Sequence, residues 1–488
     1  MTSSLLRLHC LLVSVLLALA DDCAAVPCDV ARACEAVRFH AFAPPPSMPP
    51  VKFAVGFNNS NCEAHPHAGV ELSDGAWLMV GDSQCWDGSA PYKRGVFVVV
   101  AEPSGAQRWT RVLGDLGFNY GKYGSELADG TIVVGGAKSV RDADAARAGY
   151  AYIEVRALWR LDAKTGALLS ETTFPNEGKL HGLRDGVMCA TPTSDGTNGL
   201  VATGYVGGEA NYDGHDYDDE PMFLIFNGKA FAARLTYSTD DTAAPPTVEW
   251  VADLGLNATY GFVPMQGMRT HMRGDTVAVS AAANTGPYGG DWGMQFSLMN
   301  LDATTGALRW AKMYAKADGS HPYSMTLSPP GDPEPGFVIA GHCVGCADQP
   351  IGRLLKARAS DGSVAWDRTF TDRDDRYWNI ECYGVDYARG GGSGYIVTCG
   401  NGPETIPKWM TDCHEQTWTA FLYRTDAHGQ LLWKANATDA AKQCINDAGE
   451  HVVAAKDGGF AVYVDSGTLG KPGTGGNFGL VRLDPEGR

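Results

Sequence analysis

The chain has 488 residues, of which 19% are charged and 44% hydrophobic, and its formal net charge is −17 at pH 7. Because no Lys/Arg cluster interrupts this acidic balance, nucleic acid and anionic membrane surfaces are poor partners, whereas cations or neutral polymers fit better. The 60 glycines and the many short apolar runs indicate an all-β chain rather than a helical one.

Residues 1–20 have the pattern of a secretory signal peptide. Arg7 precedes an apolar run from Leu11 to Ala20, which ends in the small-residue spacing that signal peptidase accepts. The run is short for a membrane span, which needs about 20 apolar residues, and an uncleaved anchor is the alternative. We therefore predict a secreted protein, in the extracellular space or an endomembrane lumen, with no membrane span in the mature chain.

Residues 21–50 are predicted to be a Cys-containing N-terminal segment that ends in a Pro-rich linker. Removing the leader takes away Cys10 from a total of 13 cysteines, and the even number that remains suits disulfides in an oxidising compartment. Three Asn-x-Ser/Thr sequences, at Asn58, Asn257 and Asn436, are glycan acceptors if the host is a eukaryote.

A unit of roughly 55–75 residues recurs from residue 58 to the C-terminus. Its clearest copy combines Gly336–Gly341, Arg353–Ala357 and Ser360–Trp366, where alternating apolar residues predict strands and an Asp-Gly step predicts a tight turn. Second strands of the unit are predicted at Ala76–Gly81, Thr131–Gly136, Gly199–Gly204, Thr276–Ser280, Gly336–Gly341, Gly394–Gly400 and Gly459–Gly467. Third strands with their turns are predicted at Val96–Gly105, Ala157–Gly166, Met222–Gly228, Phe296–Gly306, Arg353–Gly362, Thr419–Gly429 and Phe478–Gly487.

A tryptophan often follows the turn, on what is then the outermost strand of the unit. We predict that these rings pack between neighbouring sheets, whose outer edges diverge because of their twist. The residues are Trp109, Trp250, Trp310, Trp366 and Trp433.

The last unit ends at Arg488 without an outer strand, whereas residues 51–57 have strand composition and no other place in the repeat. We therefore predict that 51–57 pair in the last unit. The predicted fold is a seven-bladed β-propeller of four-stranded antiparallel sheets over residues 51–488, closed by this N-terminal strand so that no edge stays open, and monomeric.

The segments Leu301–Trp310 and Leu161–Leu168 resemble the repeat of the quinoprotein (pyrroloquinoline quinone) dehydrogenase-like β-propellers. The resemblance covers most of residues 51–488 and implies that fold, but the superfamily contains enzymes, assembly scaffolds and proteins of unknown role. Its dehydrogenases bind pyrroloquinoline quinone beside calcium, under a disulfide between adjacent cysteines. This chain has no adjacent cysteines, which disfavours the quinone.

Three cysteine pairs are candidates for disulfides. Cys343-Val344-Gly345-Cys346 favours a short-loop disulfide, with metal binding and redox exchange as alternatives. Cys62 with Cys85, and Cys382 with Cys399, flank the first two strands of a unit and could each join them.

Polar residues recur where each unit enters its first strand, which lines the central channel of a propeller. Converging imidazoles and carboxylates could bind a divalent metal or act as acid and base; alternatively they fill a watery channel. The candidate ligand-binding residues at this channel mouth are His65, His67, His181, Arg184, Arg269, His271, His321, Tyr323, Glu381, Glu450 and His451. Catalytic and metal-ligating residues are not assigned. The acidic loop Asp213–Glu220 has a calcium-binding composition, although a solvated insertion is favoured.

Two functions follow from these observations. The first is a binding or scaffold module for extracellular protein or carbohydrate, using the channel mouth or the blade surfaces. The second is an extracellular enzyme at the mouth, either a quinone- or metal-dependent oxidoreductase or a hydrolase. A plugged polar channel favours the first, and a deep pocket walled by His and Arg favours the second.

Overall fold

The computed structural model describes residues 51–59, 62–85, 93–114, 119–141, 153–174, 183–209, 228–255, 257–284, 293–347, 350–370, 378–389, 394–403, 418–438, 447–469 and 477–484. All of them lie in the unit Ser47–Arg488. They contain a single helical turn, Asn257–Tyr260, and no helix among them is long and apolar enough to cross a membrane. The predicted leader and linker lie outside these residues, as do the acidic loop Asp213–Glu220 and His181.

The strands are, in chain order, β1 (Val51–Phe57), β2 (Glu63–Glu71), β3 (Trp77–Cys85), β4 (Lys93–Ala101), β5 (Gln107–Leu113), β6 (Tyr120–Glu126), β7 (Thr131–Val140), β8 (Ile153–Asp162), β9 (Leu168–Thr173), β10 (Leu183–Pro192), β11 (Gly199–Glu209), β12 (Lys229–Thr236), β13 (Thr247–Asp253), β14 (Val263–Arg273), β15 (Thr276–Asn284), β16 (Gln295–Asp302), β17 (Leu308–Tyr314), β18 (Gly319–Leu327), β19 (Gly336–Val344), β20 (Ile351–Arg358), β21 (Val364–Phe370), β22 (Trp378–Tyr387), β23 (Tyr395–Pro403), β24 (Thr419–Thr425), β25 (Leu431–Asn436), β26 (Asp447–Ala454), β27 (Phe460–Ser466) and β28 (Asn477–Leu483).

The all-β class is confirmed, and the strands form antiparallel meanders of four. Four sheets have the order β2-β3-β4-β5, β14-β15-β16-β17, β18-β19-β20-β21 and β22-β23-β24-β25. An eight-stranded sheet contains two further meanders, β6–β9 and β10–β13, which one parallel bridge between Arg184 and Glu154 connects. The last sheet has the order β1-β28-β27-β26. Multiple four-stranded antiparallel sheets are consistent with a propeller.

The central strands are apolar on both faces, because each sheet is covered by a neighbour on either side. In β4, Val98 lies in one core cluster with Ile132 and Trp159 of the following meander. Its neighbour Val99 points the other way, into a cluster that includes Tyr463 of the last meander. Because both faces are buried, these strands have continuous apolar runs rather than an alternation of apolar and polar residues.

One predicted third strand is wrong. In the third meander the strand after β11 is β12, Lys229–Thr236, and not Met222–Gly228, of which 222–227 lie outside the described residues. The run Met222-Phe223-Leu224-Ile225-Phe226 has the stronger apolar and β-forming character. The actual strand contains Ala230, Ala232 and Ala233, which form strands only weakly on their own. Ala230 and Ala232 pack towards β15 of the following meander, and Ala233 packs towards β7 of the preceding one.

Four of the five tryptophans pack on the turn glycine of the next meander, which agrees with their predicted place between neighbouring sheets. Gly306 has φ +71°, a conformation that favours glycine, and a Cβ there would lie 2.7 Å from the Trp250 ring. The indole Nε1 of Trp250 also donates a hydrogen bond to the carbonyl oxygen of Ala303, at 3.1 Å. The same stacking joins Trp109 to Gly166, Trp310 to Gly362 and Trp366 to Gly429.

Strand β1 occupies the outer position of the last sheet. It pairs antiparallel with β28, from Val51 opposite Leu483 to Phe57 opposite Phe478, which confirms the predicted pairing of residues 51–57. Its Phe53 lies against Gly105, the turn glycine of the first meander, where a Cβ would be 2.7 Å from the ring. Phe53 thus occupies the place that tryptophan has elsewhere.

Two of the predicted disulfides are present. Cys343 and Cys346 are bonded within their short loop, and Cys382 and Cys399 are bonded across β22 and β23, where they face each other in register. Cys62 is also disulfide-bonded, but the side chain of Cys85 lies outside the described part of the structure, so their pairing stays a prediction.

Candidate functional site

The first strand of every meander carries a β-bulge at which one residue is left out of the pairing with the second strand. In β2, for example, Pro66 pairs with Gly81 and Ala68 with Val80, so His67 has no partner in the ladder. Such a bulge turns an additional side chain to one side of the sheet. One such residue from each meander gives the set His67, Lys122, Met188, Met268, Tyr323, Tyr383 and Glu450. Strands β10 and β14 have a second bulge, at Asp185 and Met265.

The bulge residues come together around one cavity. All seven line it, and Arg269 is the eighth lining residue. The cavity has a volume of about 30 Å³, which is room for roughly two water molecules. The eight lining side chains therefore leave room in this cavity for little more than bound water.

One wall of the cavity is a buried charge network. His67 Nε2 lies 2.5 Å from Asp82 Oδ1 and 3.2 Å from Lys122 Nζ, and Arg94 Nε donates to the other oxygen of Asp82. Burial first, and then the charge of Lys122, lower the pKa of His67 to about 3. Burial acts to raise the pKa of Asp82, but Arg94 and His67 together hold it below its ordinary value. At neutral pH the wall thus contains neutral imidazole, carboxylate and two cations.

Arg269 forms the opposite part of the lining. Its Nη1 donates to the carbonyl oxygens of Met268 at 3.0 Å and Met188 at 3.4 Å, and its guanidinium carbon lies 5.1 Å from the Tyr123 ring centroid. Arg269 is 7% exposed, and its buried Nε has no hydrogen-bond partner. No carboxylate of the described residues lies within ion-pair distance of it. It is a buried cation held by carbonyl dipoles and an aromatic face.

Aromatic residues form the remaining wall. The rings of Tyr323 and Tyr383 meet edge to face with centroids 4.8 Å apart, and the Tyr383 hydroxyl donates to the carboxylate of Glu381. Burial raises the pKa of Glu381, partly offset by this hydrogen bond. His321 packs on His342 at 4.7 Å between centroids. Glu381 and His321 therefore support the wall from behind.

The other predicted residues have partners away from the cavity. His65 lies 2.7 Å from Asp465 and 3.2 Å from Glu63; although burial alone lowers the pKa of His65, Asp465 raises it well above the ordinary value. Arg184 Nε donates to Glu154 Oε2 at 2.7 Å.

Two further histidines are placed by neighbouring strands. His271 Nε2 lies 2.8 Å from the carbonyl oxygen of Met325, and His451 packs against Tyr123 with centroids 6.2 Å apart. Burial, and then the charge of Arg269, lower the pKa of His451 to about 3. Burial also lowers the pKa of His271, so both imidazoles are neutral at pH 7.

The structure thus brings four of the predicted residues to the cavity: His67, Arg269, Tyr323 and Glu450. His181 lies outside the described residues. Sequence reasoning left Lys122, Met188, Met268 and Tyr383 out of the predicted set, because a bulge moves the inward position by one residue. A weak signal was available, since Pro or Gly immediately precedes five of the seven bulge residues.

The described residues contain no group of three or more His, Cys, Asp or Glu side chains placed to hold a metal ion.

The cavity also does not fit pyrroloquinoline quinone. A small-molecule site usually has a volume of about 300 Å³ or more, whereas this cavity has about 30 Å³.

Comparisons with known proteins give fold neighbours only. No protein-family model matches the chain, and no curated protein matches it. Among solved structures, BamB from Moraxella catarrhalis is 11% identical with a TM-score of 0.38, over 88% of this chain and 98% of that one. A quinohemoprotein alcohol dehydrogenase from Comamonas testosteroni is 12% identical with a TM-score of 0.43, over 89% of this chain and 76% of that one.

A second quinohemoprotein alcohol dehydrogenase, ADHIIG from Pseudomonas putida HK5, is 11% identical with a TM-score of 0.43, over 91% of this chain and 76% of that one. The neighbours therefore include the quinoprotein type that the repeat resembles. Because all three TM-scores lie below 0.5, these likenesses assign no activity or ligand to the chain.

Proposed function

We propose that the protein is a secreted, closed seven-bladed β-propeller that acts as a binding or scaffold module for extracellular protein or carbohydrate. Its ligand would lie on the channel mouth or the blade surfaces. The observation that carries this proposal is that the seven bulge side chains converge on one cavity and leave only about 30 Å³ within it.

Several contacts support closure of the ring. The cavity takes side chains from the first strand of each of the seven meanders, and β26 of the last meander contacts β2 of the first. On the outside, β1 pairs with β28 while its Phe53 rests on Gly105 of the first meander. Closure also removes the open sheet edges that otherwise invite aggregation.

The filled centre favours binding at the surface over catalysis in the channel. A sugar ring or a substrate of similar size needs far more room than roughly two water molecules occupy. The polar groups there are largely engaged with one another, as His67 is with Asp82. A partner that lies across the channel mouth or the blade surfaces needs no such space.

Secretion is supported by the leader pattern and by oxidised cysteines. The disulfides Cys343–Cys346 and Cys382–Cys399 suit an oxidising compartment. The net charge of −17 favours neutral polymers or basic protein surfaces as partners.

The test uses the full chain secreted from a eukaryotic host. Its saturable binding to arrays of glycans and of extracellular proteins is measured, with the heat-unfolded chain as control. In parallel the protein is incubated with pyrroloquinoline quinone and Ca²⁺, and reduction of an electron-accepting dye by alcohols is followed. We expect saturable binding and no dye reduction. Dye reduction that depends on the quinone, or an absence of saturable binding on both arrays, would overturn the proposal.

A further inference from the structure

The central cavity carries a positive charge that its lining does not balance. Lys122 and Arg269 contribute two cations, and Glu450 contributes one carboxylate. His67 adds no charge near neutral pH, since its pKa is about 3. Asp82, which pairs with Arg94, and Glu381 add carboxylates behind the lining, but no carboxylate of the described residues lies within ion-pair distance of Arg269, so the excess of positive charge is local to Arg269.

Arg269 is the origin of this excess. Its Nε is buried without a hydrogen-bond partner, and its remaining contacts are the carbonyl oxygens of Met188 and Met268 and the face of Tyr123. A buried charge normally has an ion-pair partner, because removing it from water is otherwise costly. Nearby His451 cannot supply one, because an imidazole is either neutral or positively charged.

The space beside Arg269 limits what can supply the missing charge. A cavity of about 30 Å³ admits an ion or molecule of roughly two or three non-hydrogen atoms. One excess positive charge matches a monovalent ion and not a divalent one. Tyr323, which lines the same cavity, brings a hydroxyl group of the kind that hydrogen-bonds to anions, whereas the Tyr383 hydroxyl donates to Glu381.

We propose that the cavity is a binding site for a small monovalent anion of the size of chloride or formate, held by Arg269 and Lys122. The site is independent of the surface-binding function proposed above. It closes the charge balance at the centre of the ring, and it makes the stability of the protein depend on the anion present.

Thermal melting at constant ionic strength tests this proposal, with sodium gluconate replaced stepwise by sodium chloride, sodium formate or sodium sulfate. Because a ligand that binds only the folded state stabilises it by mass action, chloride and formate should raise the Tm of the wild type by about 2–6 °C in a saturable way. Sulfate should give no saturable rise. Equal Tm values in gluconate and chloride, or an equal effect of sulfate, would overturn the proposal.

Two substitutions locate the effect. Arg269→Gln should abolish the chloride response, and Arg269→Lys, which keeps the charge and guards against a folding defect, should retain a weaker one. The matched control is Arg309→Gln in β17 of the same meander, since Arg309 lies at the surface with Asp275 and Asp302; it should respond like the wild type. A full chloride response in Arg269→Gln would place the anion elsewhere and refute the assignment.

A crystal grown in bromide shows directly whether an anion occupies the cavity. Bromide scatters anomalously, so the wild type should show an anomalous peak in the cavity beside Arg269. A cavity that contains only water in saturating bromide would contradict the proposal, whatever the melting data show.

Discussion

Replacing Gly105 by alanine tests the joint between the first and last meanders. Gly105 has φ +86°, and an added Cβ would lie 2.7 Å from two ring carbons of Phe53. The left-handed conformation costs a non-glycine residue about 1–2 kcal/mol, and forcing a methyl group into a filled contact costs about 1–3 kcal/mol more. We therefore expect Gly105→Ala to lower the free energy of unfolding by about 2–5 kcal/mol.

Gly130→Ala is the matched control. Gly130 also lies in a turn between strands, at φ +79°, but nothing lies within 4 Å of its Cβ position. Only the backbone cost of about 1–2 kcal/mol then applies. The difference between the two variants measures the contact with Phe53 alone.

Urea unfolding, followed by tryptophan fluorescence, supplies the free energies for a double-mutant cycle with Phe53→Ala. Once the ring is removed, Gly105→Ala should cost no more than Gly130→Ala, so the two sites should couple by about 1–3 kcal/mol. If Gly105→Ala and Gly130→Ala cost the same in the wild-type background, or if the coupling is zero, Phe53 does not rest on the first meander and the reasoning for closure is wrong.

Three other perturbations have definite outcomes. Deleting residues 51–57 should lower the Tm by many degrees because β28 loses its outer partner; an unchanged melt would contradict the pairing. Burial lowers the pKa of His342 to about 3, below the unfolded value of about 6.5, so the unfolded chain takes up a proton first and stability falls as pH drops below about 6.5. At pH 5 this lowers the free energy of unfolding by about 2 kcal/mol. In urea titrations, the His342→Leu variant should therefore lose about 2 kcal/mol less stability than the wild type between pH 7 and pH 5. An identical loss in the two proteins would show that His342 does not stay neutral in the folded state. Replacing Cys382 and Cys399 together by alanine should lower the free energy of unfolding by about 3 kcal/mol, since their disulfide closes a loop with a sequence separation of 17. Urea unfolding of the variant and of the oxidised wild type measures this difference. An unchanged midpoint would mean that the bond adds no stability.

The repeat and its turns could be predicted because they are encoded locally. An Asp-x-x-x-Gly or Asp-Gly turn such as Asp302 to Gly306 needs both the carboxylate that caps the turn and the glycine at positive φ. The third strand of the third meander could not be predicted, because its position is not encoded locally. The alanines of β12 fit against the neighbouring meanders, and this requirement comes from the folded arrangement rather than from the local sequence.

The centre of the molecule could be predicted only in part. Histidine and arginine near the starts of the first strands pointed to the correct region, and His67 and Arg269 do line the cavity. Which side chain turns inward depends on a one-residue bulge, and a bulge arises from pairing with a strand farther along the chain. Met188 and Met268 gave no chemical signal because methionine also fills ordinary cores.

The pairing of Val51 with Leu483 has a consequence for biosynthesis. Strand β1 leaves the ribosome before every other strand described here, yet its partner is the last to be made. Until translation ends, the backbone groups of residues 51–57 have no ladder to join and are open to pairing with other chains. A nascent chain held for too long at that stage, or truncated before residue 477, would be expected to require chaperone protection or to be degraded.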